Sequence, residues 1–167
     1  MKIVGHVSKT LLAPADLRTA LKDAGETDRF RRGSILFHAG DENIGIFLVC
    51  SGRVCLKVPG ASQFDRMFSA GSMLGLPSTF IGKPYSLTAT CVTNCKVARV
   101  EKKQFLELMT RRLDLCRMAI DILSREVAFI FSALGNRSRE NRTERHTKDS
   151  VSVRGVRRTR YASGISH

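Results

Sequence analysis

A mainly β fold with flanking helices is predicted for this chain on three observations. Six short runs of β-branched or aromatic residues fill the middle of the sequence, and glycine, proline and small polar residues punctuate them. Helical spacing appears only before the first run and after the last. Short strands with a turn signal about every 8 to 12 residues mark an all-β sandwich or barrel. A chain of 167 residues with 43% hydrophobic content holds one ordinary domain and an extension or tail.

The elements follow in order. Ala15 and Asp16 precede Leu17, Ala20, Leu21 and Ala24, and Gly25 supplies the stop, so a short amphipathic helix is expected. Strands are expected over 34–37, 44–50, 54–58, 64–68, 86–93 and 96–100. The segments between them are Ala39 to Asn43, Ser51-Gly52, Pro59-Gly60 and Ala70-Gly71. Ser51-Gly52, lying between two hydrophobic runs, reads as a tight hairpin. A helix from Glu101 to Met109 places Phe105 and Leu108 on one side.

From Thr110 onward the periodicity is the cleanest in the chain. Leu113, Cys116, Ile120, Leu123, Val127, Ile130 and Leu134 recur at spacings of three and four, an a/d seam, and Gly135 follows as a natural end residue. Leu115, Ile122, Phe129 and Phe131 add apolar surface beyond that seam. One stripe is expected to pack on the β domain and the seam to pair with its copy in a homodimer. The expected organisation is therefore 1–109 for the first helix, β region and connecting helix, 110–135 for the dimerisation helix, and 136–167 for a basic tail.

Charge separates that tail from the rest. The net charge is +13. Residues 137–167 hold nine Lys/Arg against three Asp/Glu, and the other residues hold 19 against 12. Asn136 to His167 contains no Leu, Phe or Met, too little apolar surface to offset the entropy of ordering. A disordered tail is expected. Its Arg137, Arg139, Arg142, Arg145, Arg157, Arg158 and Arg160 suit nonspecific, salt-dependent contact with nucleic-acid phosphates. No apolar run approaches the length of a membrane span, and the N-terminal MKIVGHVSKTLLAPADL lacks the apolar core of a signal peptide. A cytoplasmic protein with free thiols is expected from this and from its odd count of five cysteines. Cys91 and Cys95 are read as small buried hydrophobes rather than metal ligands.

Helix, antiparallel β roll, helix and long a/d helix, in that order, resemble the cyclic-nucleotide-binding domain of Crp/Fnr-type regulators. The residues agree locally. RFRRGSILFHAGDENIGIFLVCSGRVCLKV (29–58) is similar to the family's opening strands, with Gly33 before the second strand and Gly40 in the turn. GSMLG (71–75) is similar to the start of its phosphate-binding cassette, and ATCVTNCKVARVEKKQFLELM (89–109) to its last two strands and following helix. The resemblance covers about residues 14 to 134 and implies a double-stranded β-helix, or jelly roll.

The resemblance also implies a ligand pocket at Gly75, Leu76, Ser78, Lys83, Tyr85 and Ser86. Nucleotide-binding members carry Gly-Glu in the cassette and, further on, Arg before Ser or Thr. The arginine forks onto the cyclic phosphate and the glutamate accepts from the ribose hydroxyl. Here Leu76 follows Gly75 and Tyr85 precedes Ser86, so both charges are missing. Losing a desolvated charge partner to phosphate costs roughly 3 kcal/mol, about a hundredfold in affinity. The expectation is a regulatory sensor domain that does not take cAMP or cGMP in the usual manner and needs no cofactor. The alternatives are a genuine cyclic-nucleotide-binding regulator, another small effector in the same pocket, no ligand, or a nonspecific nucleic-acid binder acting through the Arg-rich tail.

Other chemistries fit poorly. A P-loop needs four residues between its glycines and a hydroxyl residue after the lysine. Six separate Gly75 from Gly82, and Pro84 follows Lys83. A metal enzyme on a β roll needs clustered histidines, and His6 and His38 lie far apart, with His38 expected at the surface beside a turn. No enzyme is expected. Full-length Crp/Fnr regulators continue into a winged helix-turn-helix of about 60 residues or more. No such pattern follows Gly135, so DNA contact is expected only without a reader helix.

Overall fold

The computed structural model describes residues 11–61 and 65–132. The chain divides into two compact units, Met1–Val127 and Ala128–His167. Among the described residues of the first unit, eight strands form two antiparallel four-stranded sheets. One sheet orders β1 (Glu26–Phe30), β8 (Cys95–Glu101), β3 (Gly45–Ser51) and β6 (Met73–Leu74). The other orders β2 (Ile35–Phe37), β7 (Thr88–Cys91), β4 (Arg53–Lys57) and β5 (Arg66–Ser69). This is the jelly roll expected from the sequence, with helices at its margins.

The core lies between the sheets. Ile46, Leu48, Val49, Val54, Phe68, Val97 and Val100 are fully buried there. They come from the β-branched and aromatic runs, whose side chains suit a pleated surface enclosed on its inner face. The first helix, α1 (Ala15–Ala24), buries Leu17 and Leu21, one helical turn apart, as its spacing predicts. It packs on β8 and β3, and α3 (Lys102–Arg111) packs on the same two strands through buried Phe105 and Met109. The short α2 (Leu76–Ile81) lies against β3.

Ser51-Gly52 is not a hairpin. β3 and β4 belong to different sheets, so the two residues form a corner that carries the chain from one sheet to the other. Gly52 holds φ of 88°, and a Cβ there would strike the Asn94 carbonyl. The backbone turns and approaches a neighbour at the same point, which only glycine accommodates. Two strands escape the sequence reading. β1 is largely exposed and pairs along its whole length with β8, from Glu26 opposite Arg99 to Phe30 opposite Cys95. β6 has two residues and exists through its pairing with β3. The strand expected over 86–93 is confined to Thr88–Cys91.

The last helix also begins later than expected. Arg112 has φ −122° and ψ 85°, outside helical space, which ends α3 at Arg111 and leaves Thr110 inside it. A new helix, α4, runs over residues 113–127. Its buried residues are Leu115, Ala119 and Ile122, each with no exposed surface. In the second unit, residues 128–132 are helical and exposed, Phe129, Ile130 and Phe131 among them. Leu134 and the tail arginines Arg137, Arg139, Arg142, Arg145, Arg157, Arg158 and Arg160 lie outside the described residues. Among the described residues no helix is long and apolar enough to cross a membrane.

Candidate functional site

The cassette starts where β6 ends. Gly75 takes the left-handed conformation (φ 84°) and caps α2, so the chain reverses from strand into helix within one residue. A side chain there is excluded, because its Cβ would lie 2.9 Å from the Tyr85 ring. Thr79 is fully buried, and its hydroxyl donates to the Gly75 carbonyl at 2.9 Å, tying α2 to its own cap.

An open cleft of about 450 Å³, solvent-facing space included, lies beside this cap. Phe37, Leu56, Met73, Pro77 and Leu87 give it a mainly apolar lining, with Gly75, Ser78, Tyr85 and Ser86 from the cassette. Four of the six pocket residues expected from the sequence therefore meet here. Leu76 does not line the cleft; it is fully buried in the core. Lys83 is exposed, its backbone N–H donating to the Ser78 carbonyl at 3.1 Å, and it too is absent from the lining.

Tyr85 stands where the resemblance places the phosphate-binding arginine, and its surroundings explain the exchange. The ring stacks on Phe37 with centroids 4.0 Å apart and planes inclined by 19°. The hydroxyl donates to the Gly45 carbonyl at 2.6 Å and accepts from the Gly45 N–H at 3.2 Å. Burial is the main reason that the phenol is pushed above its ordinary pKa. Tyr85 is thus a satisfied core residue whose polar end is spent on backbone.

The sequence reading passed over Glu126, which lines the cleft, and Arg66, which pairs with it from beside the lining. Glu126 lies on α4, and its carboxylate pairs with the Arg66 guanidinium. Arg66 Nη1 donates to Oε1 of Glu126 and Nη2 to Oε2 at 3.2 Å, a two-pronged pair. The side chains are 18% and 15% exposed. Arg66 lies on β5 directly opposite Leu56 of β4. Register partners in an antiparallel pair share a face, which puts Arg66 on the cleft side with Leu56. Its guanidinium sits 5.1 Å from the centre of the buried Phe68 ring, a cation–π contact that steadies it. One sequence signal pointed to this site. Glu126 continues the buried series Leu115, Ala119, Ile122 at helical spacing, a carboxylate where an apolar residue is expected.

The five cysteines are free thiols. Cys91 and Cys95 are buried, as expected, and burial followed by the neighbouring Cys95 pushes the Cys91 thiol up to about 12. No group of three His, Cys, Asp or Glu side chains is placed to hold a metal ion among the described residues. His38 is exposed beside its turn.

Residues 27–112, just over half of the chain, match the family model described as cyclic nucleotide-binding domain. The chain belongs to that family. This cyclic nucleotide-binding domain has Crp/Fnr-type regulators among its structural neighbours. One is the c-di-GMP responsive global regulator CLP of Xanthomonas campestris, with a TM-score of 0.63 and 18% identity over 75% of this chain and 64% of that one. Another is the catabolite activator protein of Thermus thermophilus, with a TM-score of 0.53 and 21% identity over 81% of this chain and 60% of that one. A third is a transcriptional regulator of Thermotoga maritima, with a TM-score of 0.59 and 18% identity over 70% of this chain and 94% of that one. This domain spans less than two thirds of the length of the Xanthomonas and Thermus proteins. No match was found among curated protein sequences.

Proposed function

We propose that this cyclic nucleotide-binding domain is a regulatory sensor and dimerisation module whose cassette does not hold cAMP or cGMP in the usual manner. The observation that carries the reading is Tyr85. At the position expected to grip a cyclic phosphate stands a phenol that is 3% exposed and bonded to Gly45 at both its donor and acceptor sides. Leu76, at the position expected to receive the ribose hydroxyl, is turned into the core. Lys83 is the cation nearest in sequence to Tyr85, and it is absent from the cleft lining. A cyclic phosphate entering from the cassette side meets no fixed cation there, and its desolvation goes uncompensated. The module acts by binding, without chemistry of its own.

The homodimer rests on α4. Leu113 is 75% exposed, Ile120 54% and Val127 51%, while Leu115, Ala119 and Ile122 are buried. The a/d seam read from the sequence is thus mainly the outward face, with Cys116 and Leu123 half-buried at its edge. An apolar stripe at this spacing matches a second copy of itself, the self-complementary arrangement of a two-fold pair.

Calorimetric titration with cAMP, cGMP and their linear analogues tests the pocket. No heat of binding below about millimolar concentration is expected. Micromolar uptake of a cyclic nucleotide overturns the reading of the cassette.

A further inference from the structure

The pair Arg66–Glu126 is costly where it stands. Both side chains are largely withdrawn from water, and a well-packed apolar pair would join β5 to α4 at least as firmly. Glu126 also interrupts the apolar series of its helix at the point where it reaches the cleft. Among the described lining residues it alone is charged.

We infer that Arg66 is an anion-binding residue of the cleft and that Glu126 is the carboxylate occupying it until a ligand arrives. The ligand class is a small carboxylate with an apolar body. Its carboxylate takes the two-pronged position that Glu126 holds on Arg66, and its body fills the space lined by Phe37, Leu56, Met73 and Leu87. This inference rests on the preceding reading, because it needs a cleft in which the cassette supplies no competing cation.

The geometry assigns the fixed and the moving partner. Arg66 is held by the β4–β5 ladder and by the Phe68 ring, whereas Glu126 lies on α4 near the end of the first unit. Exchange of one carboxylate for another leaves Arg66 satisfied and removes the ion pair that joins the Glu126 end of α4 to β5, one of its ties to the roll beside the buried Leu115, Ala119 and Ile122. Ligand and helix are coupled by competition for a single guanidinium. The ligand therefore binds the released state of α4 more tightly than the pinned state, as any population shift requires.

Octanoate, with octan-1-ol as its uncharged counterpart, tests this by calorimetry on the full chain and on Glu126→Gln. Glu126→Gln removes the built-in competitor, so octanoate should bind it about tenfold or more tighter than the wild type. Octanol should gain nothing from the substitution. Amides of residues 113–127 should exchange with deuterium faster when octanoate is bound to the wild type. Arg66→Ala should lose octanoate binding; where that variant fails to fold, the Glu126→Gln comparison still decides. Octanoate binding Glu126→Gln no tighter than the wild type, or binding neither, overturns the inference, as does equal binding of octanol. Cyclic AMP in the same series separates the two readings. Its uptake overturns the empty cassette, whereas the octanoate comparison alone decides the role of Arg66.

Discussion

Tyr85 is a buried phenol whose hydroxyl is held by backbone on both sides. A guanidinium at that position needs an anion or carboxylate to compensate its burial, while a phenol needs only one donor and one acceptor, which the Gly45 backbone supplies at 2.6 and 3.2 Å. On the proposed reading, the position serves core structure rather than ligand recognition. Tyr85→Phe should therefore destabilise the fold by about 1–2 kcal/mol, since it removes both hydrogen bonds between the buried hydroxyl and Gly45. Urea denaturation measures this, and the absence of a shift in midpoint would mean that water replaces the hydroxyl. Arg66 and Glu126 make the complementary case. Neither is conspicuous alone, since the chain contains 28 Lys/Arg and 15 Asp/Glu. Their meaning comes from being paired across 60 positions of sequence beside an apolar cleft.

Elements are where the sequence was most readable and where its readings needed most adjustment. The α4 periodicity predicted more than one apolar stripe, and the fold sorts them. Leu115, Ala119 and Ile122 face the roll, while Leu113, Ile120 and Val127 face outward. Two isoleucines two positions apart should thus respond in opposite ways. Ile122→Ala should cost about 2–4 kcal/mol of stability, because it opens a cavity at a fully buried site. Ile120→Glu should leave the fold intact and convert a dimer into a monomer in sedimentation; an unchanged sedimenting species would remove the proposed interface. The strands carry the same lesson. β3, β4 and β8 announce themselves by apolar runs, but β1 reads ETDRF and is exposed over most of its length. An edge strand with little buried side chain has no alternation to detect. Its existence depends on the free hydrogen-bonding edge of β8.

For the molecule as a whole, burial of ionisable groups sets the response to alkali. The Cys91 thiol is raised to about 12, and Cys55 and Tyr85 are raised as well, with burial the leading cause each time. The unfolded thiols lose protons near their ordinary pKa, while the folded ones retain them. Above that point the unfolded state binds fewer protons, so stability falls with rising pH, from about pH 9 towards 12 for Cys91. The contribution is complete below the unfolded pKa. Urea midpoints measured across this range should decline, and Cys91→Val should flatten the decline; an identical slope in the variant would show that Cys91 contributes nothing to it.

The sequence by itself determined the order of the main strands and of the helices that flank them, the two-sided character of α4 and the absence of the glutamate and arginine charges from the cassette. These are properties of local spacing and residue type, and burial of apolar side chains converts them directly into structure. The tertiary structure decided the rest. It made Ser51-Gly52 a corner between sheets, gave β1 and β6 their partners, sent Leu76 into the core and joined Arg66 to Glu126. Each of these is a relation between residues distant along the chain. Backbone pairing and charge compensation depend on which surfaces meet after collapse, and no local pattern encodes that meeting.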